Sequence, residues 1–491
     1  MSSPDVVIGL DLGTTSVKAA AFDLHGKVLA QAHAPLQLDL GADHQATQDP
    51  EAVAATAETT LQRCMTHLAG QGRVAAVGLS AAMHSLLAID AQDQVRLPAL
   101  TWMDSRAQAA AQALRTSAEG PLLYAQTGTP LHAMSPLAKL CWLQSEDPPW
   151  RKQVRFVSLK EYLWHRWFGV WEIDASLASA TGLYDLRQNR WHPQALEKAG
   201  ISAEQLSTIV PTTWIRPSPA EGPLAQLGLP AGTPLCIGAS DGVLANLGSG
   251  VLEPGTWQVT LGTSMAIRTA TPSPTTRFEA GTFCYLLTPG RYVVGAPSNS
   301  GGIVLQWLAD QLTDATASDR FETLFAALDH TPPGADGVLC LPYLSGERAP
   351  LWNEELSAGF YGIRGNHRRE HLLRAGLEAI AYSARWIAAE LDVTAPDLLA
   401  VSGGGFRDAR FRTLFADIFG ATLHAYPSVD ASVLGAAALT CYAIGIWNAL
   451  EQVHGWLPEA VVTSPDPAAH RRYAVPYARF RALAQAAAKL Q

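Results

Sequence analysis

Two short, hydroxyl-rich turns are the first residues whose types and spacing suit a definite chemistry. Asp11-Leu12-Gly13-Thr14-Thr15 follows an apolar run at 6–10, and Gly262-Thr263-Ser264 follows a second run at 258–261. Glycine lets a backbone approach a ligand closely, and adjacent hydroxyls and N–H groups suit the oxygens of a polyphosphate. Lys18 adds positive charge near the first turn, and Asp11 offers the hard oxygen that Mg²⁺ prefers. Either turn alone reads more simply as an ordinary hairpin. Two of them, 249 residues apart and one in each half, favour the phosphate reading.

Phosphoryl transfer also needs a group to take the proton of the accepting hydroxyl. Asp241, in Gly238-Ala239-Ser240-Asp241-Gly242, follows an apolar strand pattern and precedes a helical one. A carboxylate there suits a general base, and it equally suits a helix N-cap. Gly403-Gly404-Gly405 between a strand and a helix can aim backbone N–H groups at an anion, or can be a tight turn. His84, Trp102, Asp104, Arg106 and Lys160 fall near expected strand ends, where open α/β sheets bind ligands, although each alone reads first as a structural residue. Trp164, Trp167 and Trp171 read as packing rather than as a sugar platform.

The elements that must position these groups are legible in outline. Residues 6–10, 16–22 and 27–32 read as a β-meander, with His25-Gly26 as a tight turn. Residues 52–68 and 161–168 read as helices, and 74–79 as a buried strand that delivers Ser80-Ala81-Ala82-Met83-His84. A second meander begins near Trp257, and 398–402 reads as a late strand before a helix with Phe411, Leu414, Phe415 and Ile418 on one face. The Gly-Pro-rich stretch at 248–255 has the composition of a boundary, dividing the chain into 1–248 and 249–491.

A chain of 491 residues exceeds what one core supports, so two or more domains follow. With 48% apolar and 16% charged residues each can bury a core, and a net charge of −9 argues against a nucleic-acid partner. The basic cluster Arg364, His367, Arg368 and Arg369 reads as a solvated helix start. Six scattered cysteines fit free thiols in a reducing compartment. No stretch nears the ~18–20 uninterrupted apolar residues of a membrane span, and no leader pattern opens the chain, so a cytoplasmic location is expected. There is no Gly-x-x-x-x-Gly-Lys-Ser/Thr loop and no protein-kinase signature.

Taken together, the paired Leu-Gly-Thr-Thr/Ser turns, the Asp241 segment and the triple glycine resemble the FGGY family of carbohydrate kinases, from about residue 6 to 484. The resemblance implies an α/β, two-domain, actin/hexokinase-like (ribonuclease H-like) fold with ATP and Mg²⁺ in the cleft between domains, and a small sugar or sugar acid as the other partner. Segments such as Ser80-Ala81-Ala82-Met83-His84-Ser85-Leu86, Thr127-Gly128-Thr129-Pro130-Leu131-His132 and Gly346-Glu347-Arg348-Ala349-Pro350 are most similar to members acting on gluconate; xylulose or another sugar or polyol is the alternative acceptor. A silent sugar- or nucleotide-binding regulator on the same fold is the rival of a different class, against which the intact Asp11, Thr14 and Asp241 argue.

By resemblance, Asp11 and Asp241 lie near Mg²⁺, Asp241 is the catalytic base, and Thr14, Thr15 and Lys18 form the first phosphate loop. Gly262 and Thr263 match the second loop, Gly302 and Gln306 a nucleotide-contacting pair, and Gly404 and Asp408 an adenosine-site pair. Met83 and His84 fall where members contact the sugar. Met265 stands where glycine is usual, and Asp408 where Asn or Ser is frequent. A carboxylate-bearing acceptor should meet a cation, for which Arg106 and Lys160 are the candidates. Homodimers are common among related kinases, and nothing in the sequence marks an interface.

Overall fold

The computed structural model describes residues 5–42, 44–314, 319–391, 393–427 and 430–490. The first meander forms as its alternation predicts: β1 (Asp5–Leu12), β2 (Ser16–Asp23) and β3 (Val28–Pro35) pair antiparallel in sequence order. On the other side of β1, β4 (Arg73–Ala81) runs parallel to it, and beyond β4 follow β5 (Ile215–Pro217) and β6 (Pro234–Ser240) in the order β5-β6-β4-β1-β2-β3. Helix α1 (Pro50–Leu68) starts with Asp49 accepting a hydrogen bond from the Glu51 N–H and with Pro50 at its first position, both favourable helix openings. It buries Val53, Ala57, Leu61 and Cys64.

The second half repeats the device. β7 (Thr256–Leu261), β8 (Met265–Thr271), β9 (Phe283–Thr288) and β10 (Arg291–Ser298) are antiparallel neighbours in the order β9-β10-β8-β7. β11 (Leu398–Gly403) lies parallel to β7, then β12 (Thr422–Ala425) parallel to β11, with β13 (Val461–Thr463) at the edge. The paired turns of the sequence are thus the first hairpin of each sheet, β1–β2 and β7–β8, in equivalent positions. Helix α2 (Asp241–Gly248) leads from the first sheet towards the second. α3 (Gly302–Leu312), α4 (Arg369–Glu390) and α5 (Ala409–Phe419) cover the second sheet.

Late in the chain, α6 (Ala431–Ala443) returns to the first sheet. A Cβ on Gly9 would lie 2.1 Å from the Val433 carbonyl oxygen, so only glycine admits the helix this close to β1. An apolar cluster of its own forms there, joining Val7 and Phe22 to Val243, Leu244, Leu434, Leu439, Phe283 and Tyr285. The two halves therefore share packed surface beside the cleft. The six cysteines are free, five of them buried. Among the described residues no helix is long and apolar enough to cross a membrane.

Candidate active site

In each sheet, parallel neighbours end level with one another, so their following loops converge. Leu12 of β1 pairs with Ala81 of β4, and Ala81 with Ser240 of β6. Three candidate segments, 13–15, 82–84 and Asp241, therefore leave the same edge of the first sheet. In the second sheet Leu261 pairs with Gly403, which sets the 262–264 turn beside the triple glycine. Gly403 has φ +119°, and a Cβ there would sit 2.0 Å from the Leu261 carbonyl oxygen, so this register requires glycine.

Three acids gather electrostatically at this edge. Asp11 is 5% exposed and accepts a 2.5 Å hydrogen bond from the Ser80 hydroxyl. Its carboxyl is pushed up to about 7, by burial first and then by the charges of Asp241 and Asp430. Asp241 is also raised by burial, against the opposing charge of Arg268. It is the first residue of α2, with Ser240 in the capping position, so the N-cap reading of Asp241 does not hold. Lys18 reaches Asp430 at 2.5 Å, a carboxylate that sequence reading missed. It lies 412 residues from Lys18, as the cap of α6.

The surplus of negative charge around Asp11 suits a divalent cation. Among the described residues no three acidic, His or Cys side chains converge as a complete metal cage. Mg²⁺ is commonly held by one or two carboxylates together with substrate phosphates, so Asp11 and Asp241 fit such an ion.

The two hydroxyl-rich turns are held from outside. The Trp102 indole N–H donates to the Thr14 hydroxyl at 3.0 Å, and the Gln48 amide donates to the Thr14 carbonyl at 3.0 Å. Thr15 is exposed. The N–H groups of Gly302 and Ile303, at the start of α3, donate to the carbonyls of Gly262 and Thr263 at 2.7 and 3.0 Å, bracing the second turn. Gln306 donates to Asp310 at 2.7 Å. Gly404 is exposed, with open space where a Cβ would lie. Asp408 caps α5 through the Arg410 and Phe411 N–H groups and pairs with the Arg410 guanidinium at 2.6 Å, so its carboxylate is already engaged.

Between the halves lies a cavity of about 250 Å³. The first half contributes Met83, His84, Trp102, Met134 and Asp241; the second contributes Met265, Arg268, Phe283, Tyr285 and Arg348, among others. The His84 Nδ1 lies 2.9 Å from the Ala180 carbonyl, and burial lowers the imidazole to about 3. A neutral ring that donates from Nδ1 leaves Nε2 as an acceptor for a ligand hydroxyl. Met265, at the usual glycine position, is 1% exposed and forms part of the cavity wall.

Three expected substrate contacts lie elsewhere. Asp104, 1% exposed, accepts from the Ala46 N–H and takes a 2.7 Å ion pair from Arg106, whose guanidinium covers the Trp142 ring. These two residues fasten a loop. Lys160 is 2% exposed, pairs with fully buried Asp174 at 2.8 Å and donates to the Ala239 carbonyl at 3.1 Å. It supports the strand that leads to Asp241. The cations lining the cavity are instead Arg268 and Arg348. Strand phase sets Ala266 and Arg268 apart from buried Ile267 on β8, and only the packing of the halves turns their face to the cleft. A larger cavity, about 590 Å³, lies near Arg374 and Arg410 in the second half, but these cations are already paired with Glu378 and with Asp408, Glu322 and Asp329.

Residues 6–248 match the N-terminal domain, and residues 255–444 the C-terminal domain, of the FGGY family of carbohydrate kinases. The chain belongs to that family. This FGGY kinase is 37% identical to the gluconokinase of Bacillus subtilis (strain 168), over 91% of the chain and 89% of that protein. It is 28% identical to the xylulose kinase of Escherichia coli (strain K12), over 97% and 98%. The crystal structure of gluconate kinase from Lactobacillus acidophilus superposes with a TM-score of 0.94 at 28% identity, covering 99% of each chain. The kinase has the two-domain, actin/hexokinase-like fold that the sequence resemblance implies.

Proposed function

We propose that this kinase transfers the γ-phosphoryl group of ATP to the terminal hydroxyl of D-gluconate, giving 6-phospho-D-gluconate and ADP. The observation that carries this reading is a cavity between the halves walled by Asp241, His84, Arg268, Arg348 and Ser264 of the second turn, with the first turn leaving the same sheet edge as Asp241. The choice of gluconate is supported by the higher identity to a gluconokinase, 37%, than to a xylulose kinase, 28%.

Asp241 accepts the proton of the attacking hydroxyl, and burial raises its affinity for that proton. Neutral His84 accepts a hydrogen bond from another acceptor hydroxyl and so orients the chain for in-line attack. Thr14, Thr15 and Lys18 on one side, and Gly262 and Thr263 on the other, present donors to the phosphate oxygens in a pre-organised cleft. Gly302, Gln306, Gly404 and Asp408 line the route of the adenosine. Asp11 and Asp241 would hold Mg²⁺, which when bound offsets charge on the β- and γ-phosphates. Joining of the halves around bound substrate keeps water from the phosphoryl group.

The test is a coupled ADP-release assay with Mg-ATP and gluconate, xylulose, ribulose or glycerol. Gluconate-dependent release above the others supports the proposal. Release driven by xylulose alone replaces the acceptor, and silence across the panel favours a binding protein on this fold.

A further inference from the structure

Two polar atoms of the cavity wall have no hydrogen-bond partner among the described residues. The Tyr285 hydroxyl is buried, in a residue 1% exposed, and makes no hydrogen bond. The Arg268 Nε is buried and likewise makes none. The remaining bonds of Arg268 are long, with Nη1 3.3 Å from both the Gln258 amide oxygen and the Thr260 hydroxyl. Buried polar groups are nearly always hydrogen-bonded, and a guanidinium has five N–H donors to satisfy. Both side chains line the same cavity as Asp241.

The charge balance points the same way. Arg268 and Arg348 face one cavity in which Asp241 is the only carboxylate among the described residues. Arg348 is tied back by the Asn299 side chain at 2.8 Å and the Ser298 carbonyl at 3.2 Å. Glu347 beside it is occupied by the Ser298 and Ser300 hydroxyls and the Asn299 N–H, at 2.7 to 2.9 Å. Burial and the neighbouring charge of Arg268 both draw Arg348 down, to about 10, against the pull of Glu347. Two buried cations that repel one another gain by receiving an anion, which a neutral polyol does not supply.

We propose that Arg268, with the Tyr285 hydroxyl and Arg348 beside it, receives the carboxylate of the sugar-acid acceptor and so sets the preference of this kinase for an acid over a neutral polyol. This rests on the gluconate reading given above. A carboxylate accepts several charge-assisted hydrogen bonds at once, and these are the strong ones.

The test is calorimetric titration of the whole enzyme with D-gluconate and with D-glucitol, the neutral hexitol of the same skeleton. The wild type binds gluconate the more tightly. In R268Q the ratio of the two affinities falls by about 100-fold, consistent with loss of a charge-assisted contact, and R268K recovers part of it. Y285F lowers the ratio by about tenfold and does not lower the melting temperature, because the hydroxyl it removes has no partner in the free protein. If R268Q does not fold, Y285F and R348Q read the same ratio. A ratio within threefold of wild type in the variants that fold overturns the anchor. So does an equal loss of both ligands, which would leave Arg268 serving Asp241 alone. If the wild-type enzyme turns over xylulose and not gluconate, the functional reading fails first, and the ADP-release panel shows this independently.

Discussion

At Asp11, burial and like charges hold a proton that the unfolded chain would release. The carboxyl ionises near 3.8 when unperturbed and at about 7 in the fold. A carboxyl raised in this way contributes stability that is fully present below the lower value and is lost as pH rises through the higher one. Asp11→Asn removes the dependence. The variant should melt several degrees above wild type near about pH 8, with the difference vanishing towards about pH 4, in thermal unfolding across pH without nucleotide. The same substitution should weaken Mg-ATP binding. Lys160 makes a contrasting case, because its charge is spent on Asp174. Lys160→Met leaves a fully buried carboxylate unpaired and should cost about 3–5 kcal/mol in denaturant unfolding. Gluconate affinity measured where the variant is folded should change less than threefold; selective loss of gluconate would return Lys160 to the acceptor site.

Among the elements, the pairing of Leu261 with Gly403 decides whether the 262–264 turn and the triple glycine stand together. Gly403→Ala would place a Cβ against the Leu261 carbonyl at φ +119°, so it should lower stability by about 1–3 kcal/mol and raise the KM for ATP several-fold. Unchanged values for both would show that the register does not govern the nucleotide site. The strands and their turns were legible in the sequence because their signals are local: an apolar run, then glycine and hydroxyls, as at 6–15 and 256–264. The position of Asp241, at the end of β6 where α2 begins, was legible for the same reason. Which cation faces the cavity was not. Arg106 and Lys160 have the right charge but are turned onto Asp104 and Asp174 by tertiary packing. Arg268 sits in a strand whose inward and outward faces are fixed only once α2 and the sheet meet. Asp430 could not be placed near Lys18 until α6 was known to return across β1.

On the scale of the whole molecule, two sheets of like order present their turns to one cleft, and a shared apolar cluster beside it joins them. Ligands held by both halves should draw them together. Small-angle scattering with gluconate and a non-hydrolysable Mg-ATP analogue should therefore show a smaller radius of gyration than the free enzyme, and equal curves would count against closure. In the proposed reaction this cleft phosphorylates gluconate with Asp241 as the base. The measurement is 6-phosphogluconate formation by wild type and Asp241→Asn, with binding of ATP measured alongside in the absence of Mg²⁺. Wild type should form product at one equivalent per ADP, and Asp241→Asn should turn over more slowly by about 10²-fold or more while still binding metal-free ATP. Near-normal turnover by Asp241→Asn would contradict it.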